Sequence, residues 1–289
     1  NVPAEKRHLI PLSTLYVSLE PCCITGKTPP CTDLIIREGI RDVRISTWDP
    51  NPAVSGTGLD RLREKGIRVT AGILESEGRD LIRPFTTNIV MHRPYILLKW
   101  AQSRFGYAGT TGEQVWLSEP DTKVWSHSQR ASVDAILVGA RTIETDNPSL
   151  TVRDFPGRSP HRVIYDPNGR LDAHYHVFEA DGQSIFYFSK TNNSSLTERT
   201  IYKYLLNPDE DDFQQILKVL FENRIGILLV EGGPSLQKKI IETDMWDESW
   251  VIQTQHHLAK GIAAPDVMGR LIVKEFVGKD RIVGIRRIG

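Results

Sequence analysis

The sequence predicts an α/β protein built in two domains, and three observations carry that prediction. Short runs rich in β-formers alternate with runs of helical character along most of the chain, the pattern of a parallel or mixed sheet covered by helices. A stretch bounded by Pro84 and Pro94 interrupts the alternation. The 289 residues are comfortable for two hydrophobic cores and long for one. The division is expected at 1–88 and 89–289.

In the first domain, residues 14–19 (Thr-Leu-Tyr-Val-Ser-Leu) read as a strand and 21–30 as a proline-stiffened loop. Residues 32–38 read as a helix capped by Thr32 or Asp33 and closed by Gly39. A strand at 43–47, a turn at Asp49-Pro-Asn-Pro, and a helix at 59–65 closed by Gly66 follow. A short strand from Val69 and a helix at 75–82 complete the unit. The second domain opens with a strand at 95–101. Ser118-Glu-Pro then starts a helix over 121–130, because proline suits a first helical turn. A strand at 135–138, a short helix at 142–145 and a strand at 162–165 come next. Residues 167–183 and 189–210 are polar and turn-rich and carry little signal. The spacing of apolar residues over 213–223 predicts a helix packed on the core, leading into a strand at 227–231. Gly232-Gly233-Pro234-Ser235 begins a helix to about Glu242, and strands are expected near 249–253, 271–277 and 281–286.

Charge excludes some functions. Lys plus Arg (36) balance Asp plus Glu (36), so no global field draws the chain to nucleic acid or an acidic membrane. An anionic ligand must be held by a local cluster of donors. No apolar run approaches the length of a membrane span, and no signal peptide is recognised at residues 1–10. Three cysteines argue for a reducing compartment, and a cytoplasmic location is expected.

Two constellations carry chemistry. The first is Leu19-Glu-Pro-Cys-Cys-Ile-Thr-Gly-Lys-Thr-Pro-Pro-Cys31. Zinc prefers thiolate and imidazole ligands in a tetrahedron. Cys22 and Cys31 flank a stiff loop, and Cys31 opens a helix whose dipole favours a thiolate, so both can face one metal. This resembles the cytidine-deaminase superfamily pattern of His-x-Glu followed by two cysteines. The long insert between the cysteines, with Asp49-Pro-Asn-Pro and Gly56-Thr-Gly58, resembles more specifically the bifunctional deaminase/reductase family of riboflavin biosynthesis. The resemblance implies zinc on Cys22, Cys31 and an upstream histidine, with an adjacent glutamate moving protons. No His-x-Glu lies upstream of Cys22. The one upstream histidine, His8, precedes Leu9-Ile10. Asn1-Val-Pro-Ala reads as mid-domain sequence, so a preceding segment is expected to hold the missing pair, and deamination is not expected from these residues alone. Ile24 stands where the family usually has histidine, and Cys23 is expected to pack.

The second constellation comprises Gly139-Ala-Arg-Thr142-Ile-Glu-Thr-Asp146-Asn-Pro-Ser-Leu150-Thr-Val-Arg153 and Leu228-Leu-Val-Glu231-Gly232-Gly233-Pro234-Ser235-Leu236. The first string offers a hydroxyl, a carboxylate and a guanidinium, and arginine binds phosphate through two hydrogen bonds. In the second, glycines at a helix N-terminus let backbone N–H groups approach a phosphate. It is not the Gly-x-Gly-x-x-Gly fingerprint of dinucleotide-binding folds. Both strings resemble the reductase half of the same family, which implies a partial cytidine-deaminase-like α/β/α domain followed by a dihydrofolate-reductase-like mixed-sheet domain.

The resemblance implies NADPH as cofactor, contacted by Trp116, Thr142, Asp146, Gly233, Pro234 and Ser235. It implies substrate contacts from Gln114, Arg130, Leu150, Arg153 and Glu231, with the two arginines as candidate phosphate ligands and Lys99 in the strand lining the cleft. Asp146 and Glu231 are candidate helpers in proton movement, and no general acid is assigned. The implied reaction is reduction of 5-amino-6-(5-phosphoribosylamino)uracil to the ribitylamino product. A dimer is implied too. Phe105 replaces a usual aspartate and Gln114 a usual serine, which bears on fine substrate contacts. Rival readings are a zinc deaminase of another base, a dihydrofolate reductase, and a binding module. His161, His174, His176, His256 and His257 are read as ordinary loop or surface residues rather than metal ligands.

Overall fold

The structure is a computed structural model that describes residues 2–26, 28–110, 115–179 and 181–288. The chain divides into two compact units, Asn1–His92 and Arg93–Gly289.

The first unit holds a three-stranded parallel sheet in the order β1 (Thr14–Leu19), β2 (Asp42–Thr47), β3 (Arg68–Thr70). A 3-10 helix, Ala4–Leu12, precedes β1. Helix α1 runs Cys31–Arg37, one residue earlier than expected, and Pro30 occupies its cap position. Thr32 does not cap it. That side chain is buried, and its Oγ1 donates to the carbonyl of Cys22 at 3.2 Å. Helix α2 (Thr57–Glu64) is entered through Gly56, at φ +83°, and left at Gly66, at φ +76°. Helix α3 (Glu75–Leu81) is followed at once by α4 (Arg83–Met91). A linker had been expected from residue 84. Pro84 instead sits in the first turn of α4, where its missing N–H has no helical partner to lose. Val43, Ile45, Leu59, Leu62 and Ile35 form this unit's core.

The second unit is organised on a nine-stranded mixed sheet. In chain order its elements are β4 (Tyr95–Gln102), β5 (Tyr107–Gly109), α5 (Pro120–Ala131), β6 (Ala135–Gly139), α6 (Ala140–Asp146), β7 (His161–Tyr165), β8 (Ile185–Ser189), β9 (Ile201–Leu205), α7 (Asp212–Glu222), β10 (Ile227–Val230), α8 (Pro234–Glu242), β11 (Glu248–Gln253), β12 (Ile262–Ala263), β13 (Arg270–Val277) and β14 (Asp280–Arg286). The sheet order is β13-β14-β11-β4-β10-β6-β7-β8-β9. From β11 to β9 all neighbours are parallel, and β14 and β13 add an antiparallel edge.

The central strands β4, β10, β6, β7 and β8 are largely buried on both faces, so they read as continuous apolar runs rather than clean alternation. Alternate residues still feed two cores. Leu98, Leu137, Leu228 and Val230 pack with Phe213, Ile216 and Ile240 from α7 and α8. Ile136, Val138, Leu229 and Ile164 pack on the other face with Ile143 and Leu150. Strands β8 and β9 were not expected. Every residue of β8 is buried, while β9 is an edge strand of mixed exposure inside a stretch of turn formers, too short to show a period. Among the described residues no helix is long and apolar enough to cross a membrane.

Order along the chain and order in the sheet disagree at one place. From β4 the chain steps past the position of β10 to β6 and moves outward through β7, β8 and β9. It then returns to insert β10 between β4 and β6, and continues to β11 on the far side of β4. In open α/β sheets such a reversal opens a crevice at the carboxyl ends of the strands. Here the pairing of β10 with β4 ends at Val230 opposite Leu98, while β4 runs on through Lys99 to Gln102. By that rule the crevice falls where Glu231, Gly232 and Gly233 leave the sheet.

Candidate active site

Three charged side chains meet at that crevice. Glu231 follows β10, and its N–H donates to the carbonyl of Leu137 on β6 at 3.1 Å, which anchors it beside that strand. Arg130, near the end of α5, donates to the Glu231 carboxylate twice: Nε to Oε1 at 3.1 Å and Nη2 to Oε2 at 2.7 Å. Lys99 on β4 brings Nζ to 3.7 Å from Oε2. Two cations thus share one anion at side-chain exposures of 9–14%. A buried charge is tolerated only when paired. Burial acts to raise the Glu231 pKa, but the charges of Arg130 and Lys99 prevail and hold it down to about 2. Burial pulls the Lys99 pKa below its ordinary value, against the attraction of Glu231. Glu231 is therefore a carboxylate at neutral pH, able to accept hydrogen bonds and unable to supply a proton. Gln237 braces the same spot. Fully buried, its Nε2 donates to the carbonyls of Lys99 (2.8 Å) and Val230 (3.3 Å), tying β4 to β10 where they part.

Arg130 also reaches the next loop, donating from Nη1 to the carbonyl of Thr151 at 3.3 Å. This loop leaves α6 through Asn147 at φ +41° and passes Leu150 at φ +57°. Leucine rarely adopts the left-handed region, so its burial at 3% in the core must hold it there. The side chain of Asn147 is used too: its Oδ1 accepts the N–H of His176 at 2.8 Å. Arg153, on the same loop, is exposed, and its Nη1 donates to Thr151 Oγ1 at 3.2 Å.

The turn into α8 is the second part of the site. Gly233 is the N-cap of α8, with Pro234 in the first turn. The Gly233 N–H donates to Thr142 Oγ1 at 2.9 Å, which joins α6 to the turn. A Cβ on Gly233 would lie 3.2 Å from that oxygen, and one on Gly232 would lie 2.6 Å from Leu236 Cδ2. Glycine at both positions keeps the turn free of side chains where added atoms would crowd Thr142 and Leu236. Helix-terminal N–H groups that lack helical acceptors face outward there. Burial raises the pKa of Asp146, at the end of α6.

Sequence had grouped these residues on two strings, and the structure brings several of them together. Glu231 and Arg130 are paired, Arg130 reaches the loop of Leu150 and Arg153, and Thr142 meets Gly233. Pro234 and Ser235 open α8 beside them. Trp116 is 70% exposed and Asp146 half-buried, and among the described residues no hydrogen bond joins either to the cluster. Gln114 lies outside the described residues. Phe105 is 51% exposed, with its ring edge-on to His257 at 5.0 Å. Gln237 and His127 were not singled out from sequence. Both lie on helices where a polar residue usually faces water, so composition gave no signal of their burial.

In the first unit, Cys22 and Cys31 are neighbours: the Cys31 N–H donates to Cys22 Sγ at 3.4 Å. Burial raises the Cys31 thiol pKa, with Cys22 adding to the effect. Cys23 Sγ lies 3.0 Å from Thr57 Oγ1. Among the described residues no third His, Cys, Asp or Glu joins the pair, so zinc has two ligands where it needs three protein ligands and a water. The residues present do not complete a zinc site. Glu20, next to the cysteine loop, is fully engaged in structure. Its buried carboxylate accepts the N–H groups of Asp49 (3.3 Å), Gly56 (2.9 Å), Gly58 (3.0 Å) and Leu59 (3.3 Å).

Residues 94–254 match the family model described as the RibD C-terminal domain. The riboflavin biosynthesis protein RibD of Aquifex aeolicus is 36% identical over 289 residues, covering 95% of this chain and 81% of that protein. The chain belongs to the RibD family. RibD of Escherichia coli is 32% identical, over 82% of this chain and 68% of its own length. RibD of Bacillus amyloliquefaciens is 36% identical, and this chain covers 65% of it. The crystal structure of the diaminohydroxyphosphoribosylaminopyrimidine deaminase/5-amino-6-(5-phosphoribosylamino)uracil reductase of Thermotoga maritima superposes with a TM-score of 0.85 at 34% identity, over 95% of this chain and 79% of that one. The yeast reductase Rib7, at 19% identity and a TM-score of 0.53, shares the fold.

Proposed function

We propose that this RibD-family chain reduces 5-amino-6-(5-phosphoribosylamino)uracil with NADPH, through the crevice of its second unit. The observation that carries this reading is the buried Lys99–Glu231–Arg130 cluster beside the side-chain-free turn at Gly232–Gly233. A reductase for a phosphorylated sugar needs a place for a dinucleotide and a place for a polar, anionic substrate, and the two are adjacent here. NADPH supplies the hydride when bound. The ribosylamine substrate opens to an imine. Its C1′ takes the hydride, its nitrogen takes a proton, and the ring oxygen is left as a hydroxyl.

The chain's residues bind and orient. Ser235 presents the N-terminus of α8 to the pyrophosphate, while Gly233 and Pro234 shape the turn it approaches. Thr142 fixes that turn, and Asp146 and Trp116 are read as further cofactor contacts. Glu231 is held as an acceptor for a pyrimidine N–H, since its carboxylate keeps lone pairs beyond those Arg130 takes. Arg153 is exposed and charged, suited to the substrate phosphate. Lys99 is the member of the cluster whose proton is loosened by burial, and in this reading it is the proton donor to the substrate nitrogen. Positioning supplies most of the rate. The first unit is the deaminase-like module of the RibD arrangement, but Cys22 and Cys31 alone support no derived deamination step.

The test is NADPH oxidation followed by absorbance with the phosphoribosylaminouracil, and dihydrofolate as control. Turnover of the uracil alone is expected. Turnover of dihydrofolate alone, or absence of NADPH binding by fluorescence titration, overturns the proposal.

A further inference from the structure

We infer that His127 is a positioning residue that sets the substrate-phosphate arm carried by Arg153. The inference rests on the reading of Arg153 as a phosphate ligand and adds the residue that holds it.

His127 lies on α5 three residues before Arg130, so the two share a helix face. Its side chain is only 3% exposed. Its Nδ1 accepts the backbone N–H of Arg153 at 3.1 Å. A backbone N–H has no lone pair to offer, so Nδ1 is unprotonated and the ring proton resides on Nε2. Nε2 faces Asp154 Oδ2 at 3.4 Å, and the same oxygen takes Lys123 Nζ at 3.0 Å. Burial lowers the His127 pKa, with Arg130 adding to it, in keeping with a neutral ring.

The loop after Leu150 is thus fastened to α5 at two points one helical turn apart. Arg130 holds the Thr151 carbonyl, and His127 holds the Arg153 N–H. A third bond, from the Val152 N–H to Ser159 Oγ at 3.0 Å, closes the loop on itself. Arg130 has its own work with Glu231. His127 feels the charges of Arg130 and Glu231, but its own polar contacts lie elsewhere. Its bonds go to the backbone of Arg153 and to the side chain that follows it. An exposed arginine is free to swing, and an ordered backbone beneath it lowers the entropy lost when the guanidinium closes on a phosphate. His127 supplies that order from a buried position.

The experiment compares His127→Leu, His127→Asn and Arg153→Ala in the full chain, with kcat and KM read for the phosphorylated substrate and for the same compound after phosphatase treatment. Asparagine keeps an acceptor near the place of Nδ1, and leucine does not. His127→Leu is expected to raise KM for the phosphorylated substrate about tenfold, the partial loss of one charge-assisted contact. It should leave kcat within about twofold and KM for the dephosphorylated compound unchanged. His127→Asn should recover most of the loss. If His127→Leu does not fold, Asp154→Leu removes the ring's other partner at the surface and should raise the same KM about threefold. Equal defects in His127→Leu and His127→Asn would assign His127 to packing and overturn the inference, as would a fall in kcat at constant KM. A defect in Arg153→Ala without one in His127→Leu overturns this inference alone. An Arg153→Ala variant with unchanged KM overturns the phosphate reading beneath it.

Discussion

Glu231 is the residue on which the site's electrostatics turn. Replacing it with glutamine keeps the shape and removes the charge that Arg130 and Lys99 share. Two buried cations would then face each other across an amide. Breaking a buried pair from one side costs roughly 3–5 kcal/mol, so Glu231→Gln is expected to lower the melting temperature as well as kcat/KM, the latter by about a hundredfold or more. The pH dependence follows from the same pairing. The folded-state pKa of Glu231, about 2, lies below its ordinary value of 4.5. The pairing therefore stabilises the fold above about pH 4.5 and is lost as pH falls toward 2. Urea unfolding of wild type across that window should show a slope that Glu231→Gln lacks, and equal slopes would refute the assignment. Residue identity was legible here because Glu231, Arg130 and Arg153 sit on strings that carry the family's pattern. Their partners were less so. Nothing in the sequence marks Lys99 as the second cation on Glu231, since the contact joins β4 to the residue after β10 across more than a hundred positions of chain. His127 and Gln237 escaped for the same reason: a buried polar residue announces itself only through its partners.

At the scale of elements, the turn between β10 and α8 and the loop after β1 make a useful contrast, since backbone N–H groups are the currency in both. In the α8 turn the approach is kept clear by glycine, although the Gly233 N–H itself is taken by Thr142. A valine at Gly233 would press its Cβ to 3.2 Å from Thr142 Oγ1 and crowd the face a pyrophosphate must approach. Gly233→Val is expected to raise KM for NADPH by about tenfold or more, with a smaller change in KM for the uracil substrate. Equal changes in both constants would mean that the turn does not serve the cofactor. In the first unit the donors are already taken, four of them by Glu20. Glu20→Gln removes the charge and turns one acceptor into a donor aimed at N–H groups. A loss of about 1–3 kcal/mol in unfolding free energy is expected, with NADPH turnover at saturation unaltered. The turn into α8 was readable because strand, two glycines, proline and helix stand in sequence order. Helix α4 was not, because prolines at 84 and 94 resemble a linker, and a proline in a first turn cannot be told from one in a loop without the following helix. Strands β8 and β9 were missed where a fully buried run and a five-residue edge give no alternation.

The whole molecule keeps its cores separate. The cluster around Val43 and Leu62 draws only on residues of the first unit, and the two clusters on either face of the nine-stranded sheet draw only on the second. The proposed site follows the same division: Lys99, Arg130, Thr142, Arg153, Glu231 and Gly233 all belong to Arg93–Gly289. A unit that buries two cores of its own, one on each face of its sheet, has what a domain needs to fold alone. The inter-strand order that creates the crevice is also complete within it, because β4, β10, β6 and β11 are all present. The segment Arg93–Gly289, expressed by itself, is therefore expected to unfold cooperatively and to oxidise NADPH with the phosphoribosylaminouracil at a kcat within about threefold of the full chain. A folded but inactive segment would mean that the first unit completes the reductase site. Calorimetry on the two proteins separates that outcome from simple failure to fold. The matching transition in the full chain should survive Glu20→Gln, whose lost hydrogen bonds belong to the other core.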